Sequence, residues 1–222
     1  MKLNNRLSTI ADMVSDRYDH VWDCCCDHGF LGHALISGLS AKIHFVDVVK
    51  PLIDQLQLQL EKQFPRSENW QVHCTDLRTI ILPASEAKHL LIIAGVGGDL
   101  IIEFVQKILS NNPNANIEFM LCPVRHNFKV RQALIDQGLG LFNEKLVFDK
   151  GLYYEVIHAG REAKQSIETM GSLMWDLSQQ PHRDYLEQNI AHYQRAVRSK
   201  PEEFSEILYA YQKLKSGIVC ID

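Results

Sequence analysis

The chain has 222 residues, 46% of them hydrophobic and 23% charged, with a net charge of -4. That length suits one α/β domain plus an appendage and can bury a large core, and the acidic balance excludes a globally basic nucleic-acid binder while allowing a local basic face. Met1 to Arg6 carries no apolar h-region and no apolar run is long enough to span a bilayer, so the expected setting is the cytoplasm, with the six cysteines as reduced thiols because zinc-ribbon and CxxC spacings are missing.

Asn5 to Val14 reads as a short amphipathic helix, with Leu7, Ile10, Ala11 and Val14 on one stripe. His20 to Cys25 is a predicted strand that runs into Asp23-Cys24-Cys25-Cys26-Asp27-His28-Gly29, and a helical pattern, Leu31 to Leu39, runs out of it. A strand, a tight turn and a helix form the usual nucleotide pocket of open α/β sheets. Lys42 to Asp47 is the second strand and ends in a carboxylate placed to take both hydroxyls of a ribose. The turn lacks the three glycines of the dinucleotide fingerprint, which disfavours a pyrophosphate and an NAD dehydrogenase. A ligand with a ribose and no phosphate fits better, and S-adenosylmethionine is the expected one.

A helix Lys50 to Gln63 follows, stopped by Phe64-Pro65-Arg66-Ser67. Trp70 to Cys74 and His89 to Ala94 are the third and fourth strands. Gly97 to Leu109 is a helix, Ile117 to Cys122 the fifth strand, and Phe128 to Gln137 another helix. Leu141 to Asp149 and Tyr153 to Ala159 are two strands around a short Gly turn, hence an antiparallel hairpin. The whole predicts a mostly parallel, Rossmann-like sheet with right-handed crossovers and a terminal antiparallel hairpin, the plan of class I methyltransferases. Beyond Gly160 helices are expected at Ala163 to Ser178, from Pro181 to about Lys200, and from Pro201 to about Ser216. The expected division is a cofactor-binding domain over 1–160 and a helical, coiled-coil-like appendage over 161–222. Oligomeric state is open between a monomer and a weak dimer.

Three consecutive cysteines near His28 and His33 invite a zinc reading. Side chains of a strand alternate between faces, so Cys24, Cys25 and Cys26 are not expected to share a metal, and none is expected here. Cytosine-type nucleophilic catalysis needs a Pro-Cys loop, whereas the order here is Cys122-Pro123.

Arg6-Leu7-Ser8-Thr9-Ile10-Ala11, Asp23 to Leu31, Ile93-Ala94-Gly95-Val96-Gly97-Gly98, Leu121-Cys122-Pro123 and Gly151-Leu152-Tyr153-Tyr154-Glu155 resemble the successive motifs of the bacterial tRNA (adenine-22-N1)-methyltransferase family. The likeness runs from Arg6 to about Ala159, and that family also carries a C-terminal helical domain. It implies methylation of adenine N1 in tRNA with S-adenosylmethionine. Cys25 stands where the family has glycine, Asp47 is one methylene shorter than its counterpart, Thr75-Asp76-Leu77 lacks flanking glycines, and Cys122 and Val124 replace Gln and Asn. The resemblance implies a cofactor site of Asp23, Cys25, Asp27, His28, Gly29, Asp47, Val48, Thr75, Asp76, Leu77 and the loop Ala94, Gly95, Val96 and Gly97. Asp76 would accept the adenine amino group, although an Asx-turn role fits it almost equally. Asp47 could instead cap the helix from Lys50. Asp27 is the expected catalytic carboxylate, offsetting the positive charge that methylation puts on adenine, with helix capping as its alternative. Arg6 would hold a phosphate or orient Asp27. Gly97, Gly98, Pro123 and Tyr154 complete the expected substrate side. Arg183, Arg195, Arg198 and Lys200 could touch phosphates or be solvated surface. The alternatives are a methyltransferase of a small metabolite and a catalytically silent protein that binds cofactor or RNA.

Overall fold

The computed structural model describes residues 3–65, 69–83 and 86–217. Met1, Lys2, Arg66, Ser67 and Cys220, which enter the sequence readings above, lie outside them. Five parallel strands come first: β1 (His20–Cys24), β2 (Lys42–Asp47), β3 (Trp70–Cys74), β4 (Lys88–Ala94) and β5 (Asn116–Cys122). Then β6 (Gly140–Asp149) and β7 (Leu152–Gly160) add antiparallel to β5, in the order β3-β2-β1-β4-β5-β7-β6. The β6–β7 turn is Lys150-Gly151 with φ of 50° and 83°, the two left-handed residues that a two-residue hairpin needs.

Helices α1 (Asn5–Met13), α2 (Phe30–Ile36), α3 (Lys50–Gln63), α4 (Gly98–Asn111) and α5 (Asn127–Asp136) link the strands. Their apolar stripes meet two sheet faces. Val21, Ile43, Phe45, Leu90 and Ile92 pack on one side with Leu31, Leu35, Ile53 and Leu56. Leu91, Ile93, Phe119 and Leu121 pack on the other with Ile101, Val105, Ile108 and Val130. The strands are therefore apolar on both faces, as parallel strands covered by helices must be. Observed ends differ from the expected ones by up to three residues, the largest at the ends of the second helix and of the helix from Gln180, and a 3-10 turn at Leu77–Thr79 was not legible in the sequence. β1 stops at Cys24 because Cys25 turns left-handed, at φ 55°.

One expectation fails. The helix read over Ala163 to Ser178 is absent; 161–179 runs as an irregular strap. Its apolar residues have helical spacing, yet they serve different neighbours. Ile167 enters the sheet core, and Met170, Trp175 and Leu177 pack under the C-terminal helices. Leu141 N donates to Gln165 O at 2.8 Å, tying the strap to β6. Gly171, at φ 82°, lets the chain turn where a Cβ would lie 2.6 Å from Met174 Cε.

Helices α6 (Gln180–Val197) and α7 (Pro201–Lys215) follow and pack on each other. Leu186, Ile190, Ile207, Tyr211 and Leu214 fill their seam, which also receives Phe128 of α5. Beneath the pair, fully buried Arg131 of α5 lies 2.6 Å from Glu144 Oε2 and 2.7 Å from Glu155 Oε2. Tyr185 of α6 donates to Glu155 Oε1 at 2.7 Å. The backbone N–H groups of Ser172 and Met174 donate to Glu144 Oε1. No helix of the described residues is long and apolar enough to cross a membrane.

Candidate active site

The strand order reverses between β1 and β4, and a cavity of about 390 Å³ opens there at the carboxyl ends of the strands. This is where open α/β sheets bind ligands, and the volume lies within the roughly 300–1,000 Å³ of small-molecule pockets. The turn after β1 builds one wall. Cys25, Asp27 and Gly29 are left-handed, with φ of 55°, 51° and 67°, and Gly29 N closes the turn on Cys26 O at 2.7 Å. Glycine is favoured at 29, where the backbone is left-handed and a Cβ would lie 2.7 Å from Leu56 Cδ1. Asp23 sits under the turn and accepts from Gly32 N at 2.8 Å, which fixes the start of α2. Burial, with Asp47 nearby, lifts its carboxyl to about 7 against the pull of the Gly32 bond.

Asp47, at the end of β2, forms the second wall. Its Oδ2 accepts from Asp27 N at 3.1 Å and its Oδ1 from Val49 N at 3.0 Å. The carboxylate closes an Asx turn and does not cap α3, whose N-cap is Val49 without a side-chain bond. It thereby locks the β1 turn to the β2 end and keeps further lone pairs for a ligand. Asp27 is exposed, its side chain at 69%, with Oδ1 at 3.9 Å from His28 Nε2. Gly29 is the N-cap of α2 and no side chain caps that helix, so the capping alternative for Asp27 does not hold.

The third wall combines α1, β4 and β7. Asn4 caps α1 by accepting from Leu7 N at 2.9 Å, and Asn5 Nδ2 donates to Phe148 O at 3.3 Å. These bonds set Arg6 over the Tyr154 ring, 5.0 Å from its centroid. The Arg6 Nη atoms would lie 3.6 Å from a Cβ on Gly95, which is itself left-handed at φ 85°. Arg6 makes no ion pair among the described residues, and its buried Nε has no partner. Its expected pairing with Asp27 is replaced by the Tyr154 contact.

Of the expected residues, Arg6, Asp23, Cys25, Asp27, His28, Asp47, Ala94, Gly95 and Val96 line this cavity, while Leu7, Cys26, Phe30, Leu31, Val49 and Leu52 are lining residues the sequence reading did not place there. Gly29 supports the turn from behind. Val48, Thr75, Asp76, Leu77 and Gly97 are not among the lining residues. Asp76 is the Asx-turn residue of its alternative reading: it accepts from Arg78 N at 2.9 Å and its oxygens are held by the Arg78 guanidinium. Leu77 is core. Gly97 faces Arg125, and Gly98 packs against Arg125 O, where a Cβ would lie 2.6 Å away. Val124 N donates to Val96 O at 3.0 Å, zipping the loop of buried Pro123 to the Ala94–Gly98 loop. Arg183 donates to Leu177 O and Ser178 O, and Lys200 pairs with Glu203, so both have structural partners.

The cysteines do not form a nucleophile or a cluster. Cys24 and Cys25 pack toward one core and Cys26 toward the other, and burial pushes the Cys25 thiol to about 11 and that of Cys122 to about 12. Among the described residues no group of histidines, cysteines and carboxylates could hold a metal ion.

Two accessible carboxylates, Asp27 and Asp47, face this cavity against one guanidinium, Arg6, with the buried Asp23 carboxyl beneath them. Such a wall repels a pyrophosphate and suits a ligand with hydroxyls and a positive centre. S-adenosylmethionine meets those demands, with hydroxyls on its ribose and a positive charge on its sulfonium.

Residues 3–157 match the family described as a methyltransferase domain. No curated protein matches the chain in sequence. Among solved structures, it is similar to M. capricolum TrmK in complex with S-adenosyl-homocysteine, at 16% identity and a TM-score of 0.77, covering 98% of each chain. Streptococcus pneumoniae Sp1610, a putative tRNA (m1A22) methyltransferase in complex with S-adenosyl-L-methionine, is 19% identical with a TM-score of 0.78, over 96% of this chain and 99% of that one. The B. subtilis M1A22 tRNA methyltransferase TrmK is 19% identical with a TM-score of 0.68, over 96% and 95%. These likenesses include the strap and the α6–α7 pair. The magnesium protoporphyrin IX methyltransferase of Synechocystis covers only 71% of this chain, with a TM-score of 0.56.

Proposed function

The chain belongs to the methyltransferase-domain family, and from that premise we propose that it methylates a nucleobase of tRNA, adenine at N1, with S-adenosylmethionine as the donor. The observation that carries the donor assignment is the acidic cavity at the sheet's switch point. When bound, the donor supplies an electrophilic methyl group on a sulfonium. Asp47 holds the ribose hydroxyls. Arg6 sets a positive charge in the cavity wall, and Tyr154 holds Arg6 in place. Gly95, without a side chain, lets the two ligands approach. The full-length likeness to tRNA methyltransferases, hairpin included, supports an RNA acceptor.

Adenine N1 has a lone pair and no proton, so no base is required. The protein has to align that lone pair with the donor methyl, and positioning can carry much of the rate. The product base is cationic. Asp27, exposed at the mouth, offsets that charge as it develops. The β5 loop, Pro123 with Val124 zipped to Val96, and Gly97 and Gly98 form the substrate side. The exposed cations Arg195, in the last turn of α6, and Arg198, at its C-cap, contact the RNA backbone. The expected place of action is the cytoplasm, where tRNA is modified.

The test is incubation of the purified protein with bulk tRNA and methyl-labelled donor, followed by mass spectrometry of the nucleosides. Labelled 1-methyladenosine is expected. Label in another base moves the acceptor, and label only in small molecules favours a metabolite methyltransferase.

A further inference from the structure

Phe30 is the first residue of α2 and remains 42% exposed. A lone exposed apolar side chain is ordinary on a protein surface. This one lines the cavity beside Asp27 and His28. Its ring stacks on the His28 ring, with centroids 5.5 Å apart and planes at 25°. The left-handed Gly29 between them, where a side chain would be strained, sets the turn that brings the two rings together. His28 Nε2 is in turn 3.9 Å from Asp27 Oδ1, so carboxylate, imidazole and phenyl form one row along the rim. The other exposed apolar lining residue, Val49, stands two residues from Asp47, on the ribose side.

We propose that Phe30, backed by His28, is the surface on which the acceptor base stacks as it enters the cavity, holding the base plane against the Asp27 carboxylate. This rests on the reading that the acceptor is a nucleobase. A base taken out of its RNA stack loses its neighbours, and an aromatic ring at the mouth replaces one of them. Stacking is indifferent to which base it receives, so Phe30 supplies retention, and alignment with the donor supplies selectivity.

The experiment compares Phe30→Ala, Phe30→Leu and Phe30→Tyr with the wild type. Methylation kinetics on tRNA, S-adenosylhomocysteine affinity by calorimetry and melting temperature are measured together. Phe30→Ala should lower kcat/KM for tRNA by roughly 5- to 150-fold, the worth of one base–aromatic stack. Phe30→Leu should recover little of it and Phe30→Tyr nearly all, with cofactor affinity and melting temperature held throughout. An unchanged kcat/KM in Phe30→Ala, or a loss of cofactor affinity that matches the kinetic loss, overturns the proposal. Full activity in Phe30→Leu also overturns it, since a merely apolar rim would then suffice. A wild type that binds cofactor and methylates no tRNA instead refutes the nucleobase reading on which the proposal stands.

Discussion

At the scale of single residues, the turn after β1 separates stability from chemistry. Cys25 and Asp27 hold left-handed backbone that costs an ordinary residue about 1–2 kcal/mol. Aspartate visits that region more readily than cysteine does. Cys25→Gly should therefore leave stability equal or higher by up to about 1 kcal/mol, whereas Cys25→Val should lower it, as read by urea unfolding. Asp27→Gly should keep or raise the melting temperature while lowering single-turnover methylation about a hundredfold or more, with cofactor affinity held. A near-normal rate would remove Asp27 from the chemistry. Asp47 combines both roles, because it bonds Asp27 N and Val49 N as well as facing the cavity. Asp47→Ala should weaken S-adenosylhomocysteine binding by about 1.5–3 kcal/mol or more and also lower the melting temperature, and calorimetry showing unchanged affinity would refute the ribose assignment.

Among the elements, two polar assemblies hold what the hydrophobic layers leave open. On the face of β1–β4, His20 Nδ1 and His44 Nε2 are 2.9 Å apart, as are His44 Nδ1 and His73 Nε2, and Trp22 Nε1 donates to His89 Nδ1 at 3.2 Å. Trp22 stacks on His44 at 3.8 Å. Burial, then the neighbouring imidazoles and Lys42, pushes His44 down to about 2, and burial with His20 brings His89 to about 4. Both are neutral in the fold and protonate in the unfolded chain below about pH 6.5. The unfolded state thus takes up more protons as pH falls, and stability drops from pH 6.5 toward 4 by about 1.4 kcal/mol per unit for each of them. Asp23, raised to about 7, works in the opposite sense over that window, its stabilising contribution being greatest below about pH 4. Chemical denaturation across pH should show a net acid limb that flattens in His44→Phe; an unaltered limb would exclude the array as its origin. The second assembly is Arg131 with Glu144 and Glu155. Arg131→Ala strands two buried carboxylates and should cost about 3–5 kcal/mol or prevent folding.

For the molecule as a whole, the strap and hairpin are fastened to the sheet by buried polar groups as well as by the apolar seam. A cut after Gly160 would take Tyr185 from Glu155, the Ser172 and Met174 amides from Glu144, and the α6–α7 cover from Phe128. We therefore expect the truncated chain to lose its native unfolding transition rather than persist as an active sheet domain, and circular dichroism on heating would show this. The RNA role of the hairpin is better tested in the full chain: Arg195→Glu with Arg198→Glu should raise KM for tRNA and steepen no change in cofactor affinity. Equal KM would move the RNA to another face.

Local chemistry determined much of this protein from sequence alone. Short apolar runs, Pro and Gly stops and the Asp23–Gly29 turn placed all seven strands and all seven α-helices of the described residues, with one helix too many, and the strand ends where the cavity opens, because each signal lies within a few consecutive residues. Asp27, Asp47, Gly95 and Arg6 were reachable as cavity residues through the motifs they stand in. The strap was misread because Ile167, Met170 and Met174 have a helix's spacing, and only the packed molecule sends them to different cores. The Arg6 stack on Tyr154, the histidine array and the Arg131 network were decided by tertiary structure. Each depends on charge and burial between groups that the sheet order and the folded loops bring together, and a buried charge takes whichever partner the fold presents to it.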